Sequence, residues 1–240
     1  ARAVPVPTPE PLVLDEAGSW FGTTALVMSF LPGRSHLHGG AAGSWLAELA
    51  AALVAIHTVE VPEDPPPCLL EDHAGRGWRP PAPDRLRRTP RVEALLAGAA
   101  RLQASLREEP PREVFLHHDF HPGNVTWRGG RLSGVLDWNE ARLGPAASDV
   151  AYCSVDLAMT HGQRAADRFV ARYQALSPVP LQDLHLWQLL WIANAMLWVG
   201  YWQLGYAELG LPNLTVATLR RRLRTTADRT LSRARPAEGS

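Results

Sequence analysis

A chain of 240 residues with 46% apolar side chains can bury a core of ordinary size, which fits one domain or one domain plus a fragment. Its 24 basic side chains, all arginine, balance 24 acidic ones, so no global field points to nucleic acid or to an anionic membrane. The two cysteines, Cys68 and Cys153, form no CxxC pair and the first residues show no basic-then-apolar leader, which predicts a soluble, cytoplasmic protein without a disulfide framework.

Two extended segments come first, PLVLD and TALVMSFL, separated by the turn-rich DEAGSWFGT; together they predict a β-hairpin. After Pro32-Gly33 and the loop RSHLHGG, Ser44 can cap a helix in which Leu46, Leu49, Leu53 and Ile56 recur at helical spacing. Residues 61 to 90 are rich in proline and charge and read as a long irregular connection. An amphipathic helix is predicted over 92 to 107. EVFL then starts a short strand, and RLSGVLDW, after the Gly129-Gly130 turn, reads as another that ends at Asp137, giving a small strand pair. After Pro145 the pattern is helical over 146–159, 162–175, 181–208 and 214–234. This order predicts an α+β fold rather than alternating βαβ units.

The stretch FLHHDFHPGN concentrates polar groups. His117 and His121 have the separation of a helical zinc motif, with Asp119 between them, which would make a metal hydrolase. Pro122 and Gly123 oppose helix continuation and the preceding VFL is β-prone, so the two imidazoles are not expected to share a face. A second logic uses Asp119, Asn124 and Asp137. Phosphoryl transfer needs a carboxylate to orient the attacking hydroxyl and accept its proton, and hard oxygen ligands to hold Mg²⁺ on the phosphates.

HHDFHPGN followed by GVLDWNEARLGPAASDVAY resembles the catalytic and metal-binding loops of the aminoglycoside phosphotransferase and choline kinase family, small-molecule kinases with a protein-kinase-like fold. The resemblance implies that Asp119 is the catalytic base and that Asn124 and Asp137 are Mg²⁺ ligands. It makes His117 and His121 supports of the loop. Asp149 becomes an acceptor for the catalytic-loop backbone. His118 stands where the family commonly has glycine, a departure that puts loop geometry or substrate access in question. LVMSFLPG resembles the strand into the hinge between two lobes, which implies adenine contacts from the Ser29 carbonyl and the Leu31 N–H, with Met28 lining the pocket. Taken alone, that segment is equally a buried strand with a turn. By the same resemblance, residues 1–31 are a remnant of the N-terminal lobe and 32–240 a helical C-terminal lobe. The implied function is ATP- or GTP-dependent phosphorylation of a small hydroxylated acceptor, with nucleotide and acceptor as the partners.

Kinases of this type carry a phosphate-covering loop and a strand lysine paired with a helix glutamate before the hinge. This chain has no lysine, and VPVPTPEPLVLDE resembles the region just after that helix. A shortened chain, a natural short form and a degenerate pseudokinase are the open explanations, and Asp119, Asn124 and Asp137 standing together favour the first. The chain alone is expected to transfer phosphate poorly. The rival reading is a non-catalytic binding or regulatory module. Trp187, Trp191, Trp198 and Trp202 fall on one helical face, either as a wall of the acceptor pocket or as core. Glu140, Asp156, Asp183 and Glu208 are acids that could face an aminated acceptor, or be surface charges.

Overall fold

The computed structural model describes residues 4–36, 44–66, 69, 89–108 and 111–234. Most of the connection predicted over 61–90, the end of the RSHLHGG loop and Cys68 lie outside the described residues. The helices are α1 (Trp45–His57), α2 (Pro90–Glu108), α3 (Ala146–Thr160), α4 (Gln163–Leu176), α5 (Leu184–Glu208) and α6 (Val216–Arg233). Ser44 occupies the N-cap of α1 in helical dihedrals, and its hydroxyl does not make the capping bond.

Helix α3 is the axis of the fold, since all of its residues but Tyr152 are buried, Asp149 and Asp156 among them, and neighbouring elements cover it on every side. Residues one turn apart share a face. Ala147, Ala151, Val155 and Met159 accordingly join Leu95 and Leu102 of α2, Trp187 and Leu190 of α5, and Leu223 of α6 in one core. Val150, Cys153 and Leu157 face the other way, into a second core with Leu49, Leu53 and Ile56 of α1 and Phe169 of α4. Phe120, from the middle of the histidine-rich motif, is fully buried in that second core and anchors the loop around it.

The strands are short. β1 (Pro11–Asp15) pairs antiparallel with β2 (Ala25–Met28), forming the expected hairpin. Asp15 closes its connection, accepting hydrogen bonds from the N–H groups of Ser19, Trp20 and Phe21 at 2.8, 2.7 and 3.2 Å. The remaining strands are β3 (Arg34–Ser35), β4 (Glu113–Leu116), β5 (Val125–Arg128), β6 (Arg131–Val135) and β7 (Arg142–Pro145). The two strands predicted from EVFL and RLSGVLDW are both present, but they do not pair with each other. β6 pairs with β5 in the sheet β3-β5-β6, and β4 pairs with β7. β6 also stops at Val135, because Asp137 takes a left-handed backbone with φ 59° that cannot continue a strand.

Backbone bonds tie the first residues to this sheet. The Pro7 carbonyl accepts from Val135 N–H at 2.8 Å, and at the end of the hairpin Ser29 N–H donates to the Glu10 carbonyl while Glu10 N–H donates to Ser29 Oγ, each at 2.8 Å. The chain then passes Leu31 over Gly134, where a Cβ would stand 2.4 Å from Leu31 Cδ1 and 2.9 Å from Thr126 Oγ1, so a larger residue there would make these side chains shift. Among the described residues no helix is long and apolar enough to cross a membrane.

Candidate active site

The segment from β4 to β6 folds back on itself through four hydrogen bonds that form a ring. The Asn124 side-chain amide donates to the Asp119 carbonyl at 2.9 Å. The Asn124 carbonyl accepts from Leu136 N–H at 2.8 Å, the Leu136 carbonyl accepts from His117 Nε2 at 2.7 Å, and His117 Nδ1 accepts from Asp119 N–H at 3.3 Å. His117 is therefore the Nε2–H tautomer, and burial holds its basicity below the ordinary imidazole range, in keeping with that neutral form. Both of its ring nitrogens are committed to the backbone, which leaves no lone pair for zinc. His121 begins the 3₁₀ turn Pro122–Asn124, with its Nδ1 accepting from Gly123 N–H at 3.2 Å. The two histidines thus lie on a loop and not on a shared helical face.

Asp149, in the first turn of α3, holds this loop from below. Its carboxylate is fully buried and accepts from His117 N–H and His118 N–H, each at 2.9 Å. His57 at the end of α1 adds a bond from Nε2 at 3.2 Å, and its Nδ1 pairs with the Tyr173 hydroxyl of α4 at 2.6 Å. Burial pushes the Asp149 carboxyl up, but the His57 bond and the nearby histidines outweigh it and leave the group more acidic than usual. Burial lifts the Tyr173 phenol to about 12. His57 and Tyr173 carried no local signal, since each meets the motif only through tertiary packing.

The departure at His118 has a backbone meaning. Its φ is 66°, in the left-handed region that glycine enters freely and histidine tolerates better than most residues. The imidazole lies edge-on to Trp191 of α5, with centroids 5.6 Å apart, so it packs away from the loop's exposed side.

The Asn124 amide nitrogen also donates to Asp119 Oδ2 at 2.9 Å, which turns the Asn124 side-chain oxygen away from Asp119. Asp137 is exposed and accepts from the Asn139 amide at 2.8 Å through one carboxyl oxygen. The β5–β6 pairing brings Asn124 beside Leu136, next to Asp137 in the chain. An amide oxygen and a carboxylate are hard donors that fit Mg²⁺, and no group of three His, Cys, Asp or Glu joins them among the described residues. Two protein ligands suit an ion that completes its shell with water and phosphate oxygens. Of the residues that the resemblance places at a hinge, Met28 is half exposed, Leu31 lies over Gly134, and the Ser29 N–H is taken by the Glu10 carbonyl.

A cleft of about 440 Å³ opens in front of Asp119. His121, Tyr152 and Asp156 line it together with Trp202, Tyr206 and Glu208 from the end of α5. His121 is thus a wall of the cleft as well as a support of the turn. Two of the four acids singled out from the sequence, Asp156 and Glu208, reach the cleft. The other two do not line it: Glu140 lies 3.7 Å from Arg142, and Asp183 accepts from Ser105 at 2.5 Å. The tryptophan stripe divides. Trp187 and Trp191 are core, Trp202 lines the cleft, and Trp198 is 47% exposed. Tyr152 was not singled out from the sequence, although it stands one helical turn before Asp156 on α3.

A loop carrying Asp119 and Asn124, joined to Asp137 by a β-ribbon and backed by a helix-borne Asp149, sits in a fold of the protein-kinase-like class. The family model of the Phosphotransferase enzyme family (APH) matches residues 1–187, and the chain belongs to that family. A homoserine kinase of Chelativorans sp. (strain BNC1) is 28% identical over 194 residues, 75% of this chain. The chain spans only 57% of that relative's length. Among solved structures, aminoglycoside phosphotransferase APH(4)-Ia superposes with a TM-score of 0.61 at 18% identity, covering 98% of this chain and 80% of that one. A thermostable mutant of it was solved as a ternary complex with ADP and hygromycin B. Choline kinase LicA from Streptococcus pneumoniae superposes with a TM-score of 0.56 at 16% identity, covering 94% and 75%, and was also solved with AMP. At these identities the structural likeness establishes the fold.

Proposed function

We propose that the protein transfers the terminal phosphoryl group of Mg-ATP to a hydroxyl of a small molecule bound in the cleft, an amino-alcohol, an aminoglycoside or another antibiotic. The observation that carries this reading is the hydrogen-bonded ring, which fixes Asp119 at the cleft while holding Asn124 and Leu136 together behind it. Asp119 orients the acceptor hydroxyl and takes its proton as the acceptor oxygen bonds to phosphorus and the bond to the leaving nucleoside diphosphate breaks. Asn124 and Asp137 would hold Mg²⁺, which neutralises charge on the phosphate oxygens when bound. The Ser29 carbonyl and the Leu31 N–H are the proposed contacts to the adenine base, with Met28 beside it. Adenine nucleotides in APH(4)-Ia and LicA support ATP as the donor.

Calorimetric titration tests the reading. ATP is expected to bind in a Mg²⁺-dependent way, and Asp137→Ala to weaken it by about tenfold or more. Asp119→Ala should leave nucleotide affinity within about twofold and abolish phosphorylation of the acceptor in the intact enzyme. Acceptor binding with no nucleotide binding would assign the protein to the non-catalytic modules instead.

A further inference from the structure

We propose that the protein carries a second binding site, away from the cleft in front of Asp119, for a small organic anion: a carboxylate or phosphate ester with an apolar body. The site is a groove between α4 and the start of α5, with the end of α6 as its third wall.

α4 and α5 both pack on α3, and the groove between them measures about 530 Å³, a size that suits a metabolite. It shares no residue with the cleft. His185 lines the groove and Tyr206 lines the cleft; they stand at opposite ends of α5, about 30 Å apart along its axis.

The charges of the groove do not cancel. Arg229 and Arg233 line it, and its single acid, Asp167, is already engaged. One Asp167 oxygen accepts from Arg229 at 2.8 Å and the other from the Gln163 amide at 3.2 Å. A positive charge is left over, since Arg233 makes no ion pair among the described residues. The side chains of Gln174 and His185 likewise make no hydrogen bond among the described residues. Gln163 and Gln188 are held from behind. The Gln163 side-chain oxygen accepts from Thr226 of α6 at 3.2 Å, and the Gln188 amide donates to Ser154 of α3 at 3.0 Å. Burial makes the His185 imidazole less basic than usual, with Asp183 opposing and the Arg101 charge adding to the effect, so it offers a neutral N–H. Ala166, Val170 and Leu184 give the groove its apolar surface.

A guanidinium meets carboxylate or phosphate oxygens through two parallel N–H bonds, which suits the spare arginine to an anionic head group. The glutamine amides and His185 supply further hydrogen bonds. A bare inorganic ion would leave Val170 and Leu184 uncovered, and a neutral molecule would leave the extra charge unmatched. The two features together select an anion that carries an apolar body.

Fluorine NMR titration of the full chain tests this with 4-fluorobenzoate, 4-fluorophenyl phosphate and the neutral 4-fluorobenzamide, and with inorganic phosphate as competitor. At least one aryl anion is expected to bind about fivefold or more tighter than the benzamide and than inorganic phosphate. The tighter of the two aryl anions identifies the head group as carboxylate or phosphate. Arg233→Gln should weaken the favoured anion by about fivefold or more, and so should Gln174→Glu, which brings an acid into the groove. Both positions are exposed, so neither substitution opens the core. Arg172→Gln removes an exposed arginine of α4 that does not line the groove, and should leave binding within about twofold. No binding of either aryl anion, equal binding of the benzamide, or equal binding of inorganic phosphate would each overturn the proposal. So would binding that survives Arg233→Gln or Gln174→Glu, or that falls as far with Arg172→Gln. Because groove and cleft share no residue, the result is independent of the phosphotransferase reading.

Discussion

The Tyr152 hydroxyl donates to Asp119 Oδ1 at 2.5 Å, while the Asn124 amide holds Asp119 Oδ2 at 2.9 Å. The carboxylate is thus fixed at both oxygens, by one side chain from the loop and one from α3. Burial and the charge of Asp119 raise the Tyr152 phenol well above its ordinary range, so it remains a donor at any working pH. Tyr152→Phe keeps the ring against Trp191 and removes only this bond. In the intact enzyme the expected result is a fall in kcat of about tenfold from misorientation of Asp119, the base proposed above. The KM for nucleotide should stay unchanged, and steady-state kinetics with each substrate varied separates the two.

The left-handed backbone at position 118 gives a prediction about stability. His118→Gly should change the unfolding free energy by no more than about 1 kcal/mol, since easier backbone geometry offsets lost packing on Trp191. His118→Val places a β-branched residue at a positive φ and should cost about 2 kcal/mol or more. Urea denaturation midpoints of the two variants check the contrast.

Asp149 accepts two backbone N–H bonds and one from His57 with no access to water. Asp149→Ala leaves those donors buried and unpaired and should destabilise the protein by about 3 kcal/mol or more. The folded carboxyl is more acidic than the ordinary value of 3.8, so its contribution is complete above that value. As pH falls below it, toward the folded pKa, the contribution is lost. Acid unfolding followed by circular dichroism should show the wild-type protein losing its stability advantage over Asp149→Ala in that window.

The tryptophan stripe makes a paired prediction. Trp187 is 1% exposed in the core between α2, α3 and α5, and Trp187→Ala should cost about 3–5 kcal/mol. Trp198 shares its helical face but is 47% exposed, and Trp198→Ala should stay within about 0.5 kcal/mol of wild type. Thermal melts of the two variants decide whether the face or the neighbour sets the energetics.

These contrasts mark what was legible in the sequence. The four helices after Pro145 lie within a few residues of their predicted bounds, because apolar spacing along one segment is a local signal. β5 and β7 were not legible. Val125, Thr126 and Trp127 are all buried, so β5 shows no alternation, and β7 is Arg-Leu-Gly-Pro, with two residues that strands disfavour. Only their partners, β6 and β4, make them strands. Asp119, Asn124 and Asp137 were singled out by their residue types, their order and the family resemblance, and the fold brings Asn124 onto Asp119 and beside Leu136, the neighbour of Asp137. Nothing local distinguishes Asp156 from Asp183, since what separates them is Tyr206, fifty positions further along.

The ring of bonds from His117 to Leu136 closes within one short uninterrupted piece of chain, and its contacts are local in sequence. Local contacts form without first closing long loops, so this piece can reach its working geometry early in folding, before the helices pack. Docking onto Asp149 and burial of Phe120 then lock that loop against the helices. Chemistry that depends on positions tenths of an ångström apart is thereby separated from the slower business of assembling the helical body around it.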